Sequence, residues 1–405
     1  MEFKQTKPIP YFKAAPAAPG SSTREVAATA QNANLQKRAR SKYFSLALAK
    51  ELADLNSPLK AGYVRTLACT DIITQTGNKL ISTYCGARWC ITCNRIRTAK
   101  MINKYEPHLV GMYEPHFITL TVPNITGEVY TIRSSIKEIQ KFLRGTFDRL
   151  RKDGIKFRGF RKIEITYNEN AGTFHPHIHI LTDGSINKKN DDSKAIQLIY
   201  KIWKRRKYNE KKFWQLVEQY NSGKIDSGYF KAEILLQAWL ENFSNARRVA
   251  QDIRPATPGT LKELFKYSTK ILSKSNSKSR EQWTLTKYTA SDGEAREVYK
   301  KRIHKTGLAI YVSALDKIYQ AIYRKRIIQP IGYTKQEQRA FNELLEGNIN
   351  SDLESEIIED LAPAAAAWQW YKKDWHNIDT GIKLTGWQPD QLDQERVSAF
   401  IFDSG

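Results

Sequence analysis

Three histidines at alternate positions constrain this chain more than any other feature. The run Thr173-Phe174-His175-Pro176-His177-Ile178-His179-Ile180-Leu181 holds three of the seven histidines among 405 residues. Side chains two apart share one face of an extended strand, so the run predicts a strand with three imidazoles on one side. Stacked imidazoles repel once protonated and gain little from packing, so a cation is the natural reason to gather neutral nitrogens there. Ile178 then anchors the strand from its opposite face. A carboxylate is needed to complete a site for Mg²⁺ or Mn²⁺. Glu164 is the candidate, in the preceding apolar strand Lys162-Ile163-Glu164-Ile165-Thr166. Pairing Thr166 with Thr173 across the loop 168–172 sets Glu164 opposite His175 and beside His177. A slip of one residue would turn Glu164 to the other face. His177 and His179 are the expected ligands, with Glu164 or His175 as the third.

All four cysteines lie close together as well. Cys69, Cys85, Cys90 and Cys93 follow C-x15-C-x4-C-x2-C inside a segment of 25 residues. A cytosolic chain keeps few disulfides, whereas Zn²⁺ seeks four soft ligands, so a structural zinc site is expected. Four thiolates leave no open coordination position, which argues against zinc catalysis. Arg88, Arg95, Arg97 and Lys100 surround the cluster and suggest a basic, zinc-stapled subdomain.

Charge points to a polyanionic partner. The chain carries 65 Lys and Arg against 42 Asp and Glu, a net of +23. Residues 335–405 hold six basic and fourteen acidic residues, a net of −8, so the rest carries +31. A basic body with an acidic appendage reads as a nucleic-acid binder. With 41% hydrophobic residues global disorder is excluded. No run approaches the roughly 18–20 apolar residues of a membrane span, and residues 1–30 lack an apolar signal segment, so no membrane role and a cytoplasmic location are expected.

Along the chain we expect a flexible arm (1–33), a basic helix (34–60) with Lys37, Arg38, Arg40 and Lys42, and the four-cysteine zinc-binding subdomain (61–110). An α+β domain (111–275) follows, with strands at 117–122, 160–167 and 173–182 and a helix through Ile132, Ile136, Ile139, Phe142, Leu143, Phe147 and Leu150. Residues 192–221 and 229–247 look helical, with Trp203, Trp214 and Trp239 as anchors. A basic helical extension (276–334), whose start could be a loop or small ribbon, precedes an acidic Trp-rich module (335–405). Near 260, Glu263, Tyr267 and Lys270 lie at i, i+4 and i+7 and share a helix face. Glu263 also fits a capping box with Thr260. A tyrosine hydroxyl, with pKa about 10, needs a nearby cation or lysine to act as a nucleophile.

In order and spacing these segments resemble the replication initiators (Rep proteins) of rolling-circle plasmids. They lie within the HUH endonuclease superfamily, and the nearest likeness is to the type 1 family of Gram-positive plasmids. Arg88-Trp89-Cys90-Ile91-Thr92-Cys93-Asn94 looks like that family's C-x-x-C segment, and Phe117-Ile118-Thr119-Leu120-Thr121 like its first motif. Phe174 to Leu181 looks like its metal motif and Lys266-Tyr267-Ser268-Thr269-Lys270 like its tyrosine motif. The resemblance covers residues 60–275. It implies an HUH-type antiparallel sheet with flanking helices, preceded by the four-cysteine zinc unit and followed by a helical C-terminal extension.

What the resemblance implies for chemistry is a single-tyrosine nicking and closing enzyme. Tyr267 would attack a phosphodiester at the plasmid's double-strand origin, forming a 5′-phosphotyrosyl link and releasing a 3′-OH. Lys270 would assist, and Glu263 would serve termination. His177, His179 and Glu164 or His175 would hold Mg²⁺ or Mn²⁺. With no Walker A pattern in the chain, a host helicase would supply unwinding, with DNA polymerase and single-strand binding protein following. The alternatives are an HUH relaxase or single-strand transposase, and a non-catalytic zinc-containing DNA-binding regulator. Tyr267 follows His179 by 88 residues, an order that relaxases commonly reverse.

Overall fold

Two antiparallel sheets organise the chain, and strands from its C-terminal half complete both. The computed structural model describes residues 23–401 except 77–78, 153–154, 169–170, most of 186–209, 266–278, 290–294, 306–309, 347–355, 358–365 and 399. Helix α1 (Thr23–Asp54) and helix α2 (Lys60–Leu67) precede the hairpin β1 (Ile72–Thr76) and β2 (Lys79–Ser82). Helix α3 (Ile91–Val110), β3 (His116–Thr121), helix α4 (Val129–Lys152) and the hairpin β4 (Gly159–Asn168) and β5 (Thr173–Thr182) come next. Helices α5 (Glu210–Asn221) and α6 (Ser227–Asn242), β6 (Asp252–Pro255) and helix α7 (Pro258–Phe265) follow. A ribbon of β7 (Ser279–Thr289) and β8 (Ala295–Lys305) leads to β9 (Ile310–Tyr311), helix α8 (Val312–Ile322), β10 (Ile328–Ile331) and helix α9 (Lys335–Glu346). The chain closes with β11 (Glu356–Ile357), β12 (Ala366–Tyr371), β13 (Asp374–Asn377), helix α10 (Gln391–Ser398) and β14 (Phe400–Ile401). The architecture is α+β, with antiparallel sheets and flanking helices. Among the described residues no helix is long and apolar enough to cross a membrane.

The larger sheet runs β10-β4-β5-β3-β6 with the histidine strand β5 at its centre. Its alternation divides two cores. Ile118, Leu120, Ile163, Ile178 and Ile180 are buried on one face, where α4 and α6 pack and Phe142 meets Trp239 edge to face at 5.3 Å. Fully burying each such side chain is worth about 1.5–3 kcal/mol. On the other face Phe160 packs with Phe265 of α7, Tyr105 of α3 and Phe341 of α9. Helix α7 therefore lies on the face that carries the histidines.

Several boundaries differ from the sequence reading. Residues 23–33 of the expected arm are helical, because α1 continues upstream through the helix-favouring Ala27-Ala28-Thr29-Ala30. Its basic cluster is turned inward in part: Lys42 is buried, and Arg40 forms a bidentate pair with Asp393 at 2.7–3.0 Å. The start of the basic extension takes the ribbon form, one of its two expected readings, with 279–289 paired to 295–305, in keeping with the β-branched and aromatic alternation of Trp283-Thr284-Leu285-Thr286, so this part of 276–334 is not helical. The sheet does not close at residue 275, since β10 pairs with β4 through Ile328 and Lys162. Trp239 is buried as expected, whereas Trp214 is 48% exposed and anchors little. Trp203 lies outside the described residues.

The acidic tail is not a separate module, and the C-terminal extension is not simply helical. Strand β12 pairs with β1, giving a second sheet of order β11-β2-β1-β12-β13. Trp368 and Trp375 pack with Ile73, Leu80 and α1 residues Leu35 and Ala39, and the Trp375 indole donates to the Thr70 carbonyl at 2.8 Å. Deleting residues 335–405 strips this core and Phe341 from the body. We expect the thermal midpoint to fall by at least ~10 °C in calorimetry. An unchanged midpoint would show that the tail folds apart.

Candidate metal centres and active site

Four cysteine sulfurs converge where α2, β2 and α3 meet. Cys90 occupies the N-cap of α3 and Cys93 its first turn, while Cys69 follows α2 and Cys85 follows β2. Sulfurs about 2.3 Å from one zinc ion stand roughly 3.8 Å apart in a regular tetrahedron. The separations here are 3.5 Å for Cys69 and Cys93, 3.6 Å for Cys85 and Cys93, and 3.6 Å for Cys69 and Cys90. Hydrogen bonding to the Cys85 sulfur pushes the Cys69 thiol up and bonding to Cys69 does the same to Cys93, while Cys85 is pulled down by its bond with Cys69. Four sulfurs this close could hold a metal ion, and as thiolates they suit a soft one.

The surroundings hold that cluster in place. The Ser45 hydroxyl of α1 accepts from the backbone N–H of Ile91 and Thr92 at 2.9 and 3.2 Å, capping α3. The Lys42 ammonium donates to the carbonyls of Cys69 and Leu67 at 2.6 and 3.0 Å. Burial pulls its pKa down while Asp71 and the neighbouring cysteines push it up. A positive charge beside Cys69 offsets the net negative charge of a zinc tetrathiolate. Trp89, in the turn before Cys90, donates to the Thr66 hydroxyl at 3.0 Å and stacks edge-on with Tyr63 at 5.0 Å.

A second group of donors gathers at the centre of the larger sheet. Glu164 lies directly opposite His177, and Lys162 opposite His179. The hairpin register is Asn168 with Thr173, two residues from the expected pairing of Thr166 with Thr173. The tighter loop accounts for the difference, and an even shift keeps Glu164 on the histidine face. Glu164 Oε2 is 3.2 Å from His179 Nε2 and 3.8 Å from His177 Nε2. The three ligand atoms lie within 4.8 Å of one another. His175 is not part of that group: its Nδ1 meets Asn124 Oδ1 at 2.6 Å. Between the two candidates for third ligand, Glu164 is the one that faces both histidines.

Each ring is oriented from behind. His177 Nδ1 is 3.1 Å from the His175 carbonyl, which can only accept, so Nδ1 donates there and Nε2 is the nitrogen turned toward Glu164. His179 Nδ1 is 3.1 Å from the Thr119 hydroxyl, and its ring stacks on Phe117 at 5.3 Å. Burial pushes the His179 pKa down against the opposing pull of Glu164, which keeps the imidazole neutral and able to ligate. Two neutral imidazoles and one carboxylate fit a divalent cation. Replacing Glu164 with Gln keeps the shape and removes the charge. We expect the affinity for Mn²⁺ to fall at least ~tenfold in calorimetric titration, and unchanged binding would remove Glu164 from the donor set.

Glu263 of α7 lies on the same sheet face. Its carboxylate accepts from Arg254 Nη2 at 2.6 Å, and Arg254 sits 5.1 Å over the Phe117 ring that stacks on His179. The capping box does not form as expected: α7 begins at Pro258, and the Thr260 hydroxyl accepts from the Thr257 N–H at 2.8 Å. Tyr267 and Lys270 lie outside the described residues, two and five positions beyond the end of α7. Lys162 escaped the sequence reading as a site residue. Its ammonium is 3.2 Å from Glu164 Oε2 and only 5% exposed. The strand alternation that selected Glu164 also selects Lys162, since the two stand i and i+2. Compared with known proteins, the chain significantly matches no protein-family model, no curated protein and no solved structure.

Proposed function

We propose that this protein is a metal-dependent DNA endonuclease and strand transferase of the HUH type, which initiates rolling-circle replication of a plasmid. One observation carries the reading: Glu164, His177 and His179 converge on the sheet face against which α7 packs, and α7 leads directly into the segment holding Tyr267 and Lys270. A two-histidine, one-carboxylate site on the sheet face packed by the helix that precedes Tyr267 in sequence, in a chain of net +23, suits phosphodiester chemistry on DNA.

In this reading Tyr267 Oη attacks a phosphorus atom at the double-strand origin. The Oη–P bond forms as the P–O3′ bond breaks, leaving the DNA 5′-phosphate on tyrosine and a free 3′-OH. The phenol gives up its proton and the departing 3′ oxygen takes one up. Lys270, three residues after Tyr267, adds positive charge where the phosphate becomes more anionic. Glu263 serves the closing reaction, activating water or the last incoming strand. When bound by Glu164, His177 and His179, Mg²⁺ or Mn²⁺ offsets charge on the scissile phosphate. The phosphotyrosine keeps the energy of the broken phosphodiester, so rejoining needs no ATP. A host helicase, a polymerase and a single-strand binding protein are the partners this reaction requires, in the cytoplasm, and zinc in the four-cysteine unit is structural.

The test is incubation with supercoiled plasmid carrying the protein's own gene and flanks. Mg²⁺ or Mn²⁺ should yield open-circular product, and EDTA should abolish it. If no product forms, or if EDTA changes nothing, the endonuclease reading fails.

A further inference from the structure

Three described side chains converge on the Glu164 carboxylate. His177 and His179 approach Oε2 at 3.8 and 3.2 Å, and the Lys162 ammonium approaches the same oxygen at 3.2 Å. Lys162 and Glu164 leave β4 on one face, two residues apart, and the pairing of Lys162 with His179 across the sheet holds the ammonium beside the donors. Side-chain exposure is 5% for Lys162, 16% for Glu164, and 8% and 7% for the two histidines, so water screens these charges poorly. Burying an ammonium is costly, and a Leu or Met of similar volume would pack beside His179 without that cost.

Charge balance gives the lysine a task. Between Lys162 and Glu164 the charges cancel, one ammonium against one carboxylate held 3.2 Å apart. A divalent cation on Glu164 leaves the pocket doubly positive and takes from Lys162 the oxygen it holds. A phosphodiester beside both cations brings one negative charge and halves that excess, which makes it an anion of the right chemistry for the site. We infer that Lys162 couples the two ligands of this site, opposing a divalent cation when no phosphodiester is present and favouring it when one is. The inference rests on the proposed metal-dependent DNA chemistry and names what the site recognises there, a cation and a backbone phosphate bound together. Lys162 is a substrate-binding residue in this account: it moves from Glu164 to a phosphate oxygen as the cation arrives. Enzyme without DNA would then hold little metal, which confines cleavage chemistry to the loaded complex.

The experiment is an Mn²⁺ titration of the full chain read by electron paramagnetic resonance, for wild type and Lys162→Met. Each is run alone, with a single-stranded oligonucleotide, and with the same oligonucleotide carrying an uncharged methylphosphonate backbone. Mn²⁺ held by each oligonucleotide alone is subtracted. Wild type should bind Mn²⁺ at least ~tenfold more tightly with the charged strand and gain nothing from the neutral one. K162M without DNA should bind Mn²⁺ at least ~tenfold more tightly than wild type, and the charged strand should add less. K162Q, which keeps a polar head, should behave as K162M does, and the three wild-type titrations decide the coupling even if both variants unfold. If wild type binds Mn²⁺ equally well in all three conditions, the coupling is wrong while the metal site stands. If Mn²⁺ never binds wild type or variant, the metal reading falls and takes this inference with it.

Discussion

Replacing Tyr267 with Phe should abolish strand cleavage while leaving DNA binding intact. The substitution removes one oxygen and keeps the ring, so packing and charge are preserved and only the nucleophile is lost. Loss of a covalent nucleophile removes the reaction path, and we expect open-circular product to fall at least ~1,000-fold in a plasmid assay. Affinity for duplex carrying the plasmid's flanks should stay within about threefold, because phosphate contacts from Lys and Arg set it. A regulator that only binds DNA would show no cleavage in either protein. Wild-type activity that survives in Tyr267→Phe would move the nucleophile elsewhere.

Replacing Cys90 with Ser should cost more stability than any of the other single substitutions. The Cys90 side chain makes no capping hydrogen bond and Ser45 caps α3 from α1, so the loss reports on the metal. The sulfurs, 3.5–3.6 Å apart in the three measured pairs, would lose one corner of their tetrahedron. Structural zinc contributes about 10–16 kcal/mol of apparent binding energy in small zinc-finger peptides, and a fraction of that exceeds the usual margin of a domain. We expect zinc content to fall from about one ion per chain to none in plasma mass spectrometry, and cooperative unfolding to be lost or moved far below its wild-type midpoint. Full zinc occupancy in the variant, or an unchanged midpoint, would contradict a structural four-cysteine site. The damage should spread. Helix α3 also carries Tyr105, which packs on Phe160 and Phe265 under the histidine face.

Local patterns make much of this legible in the sequence. Alternating apolar residues around His177, His179 and Glu164 locate the central hairpin, since one buried face specifies which side each residue takes. The exact pairing is not legible, because residues 168–172 fit more than one loop length and only packing selects among them. Helix α4 follows from its 3.6-residue period, and the cysteine group from its spacing. What escapes is long-range. Nothing local in Ala366–Tyr371 shows that it will pair with Ile72–Thr76 from the other end of the chain, or that β10 will extend the histidine-bearing sheet. The tail's acidic charge suggests independence, yet Trp368, Trp375 and the buried Asp393 tie it to α1 and β1. Lys162 stands in the same alternation but draws no notice, because a lysine on a strand ordinarily faces solvent. Its burial beside Glu164 depends on the neighbouring strands and on α7 covering that face.

The central claim concerns one covalent bond, and its polarity can be read directly. Supercoiled plasmid with the native flanks is cleaved in Mn²⁺, quenched in detergent, digested with nuclease and protease, and the DNA-linked peptide is sequenced by mass spectrometry. The account predicts a nucleotide joined through its 5′-phosphate to Tyr267, absent in EDTA and absent from Tyr267→Phe. A 3′-phosphoryl link, an adduct on another residue, or cleavage with no adduct would contradict it.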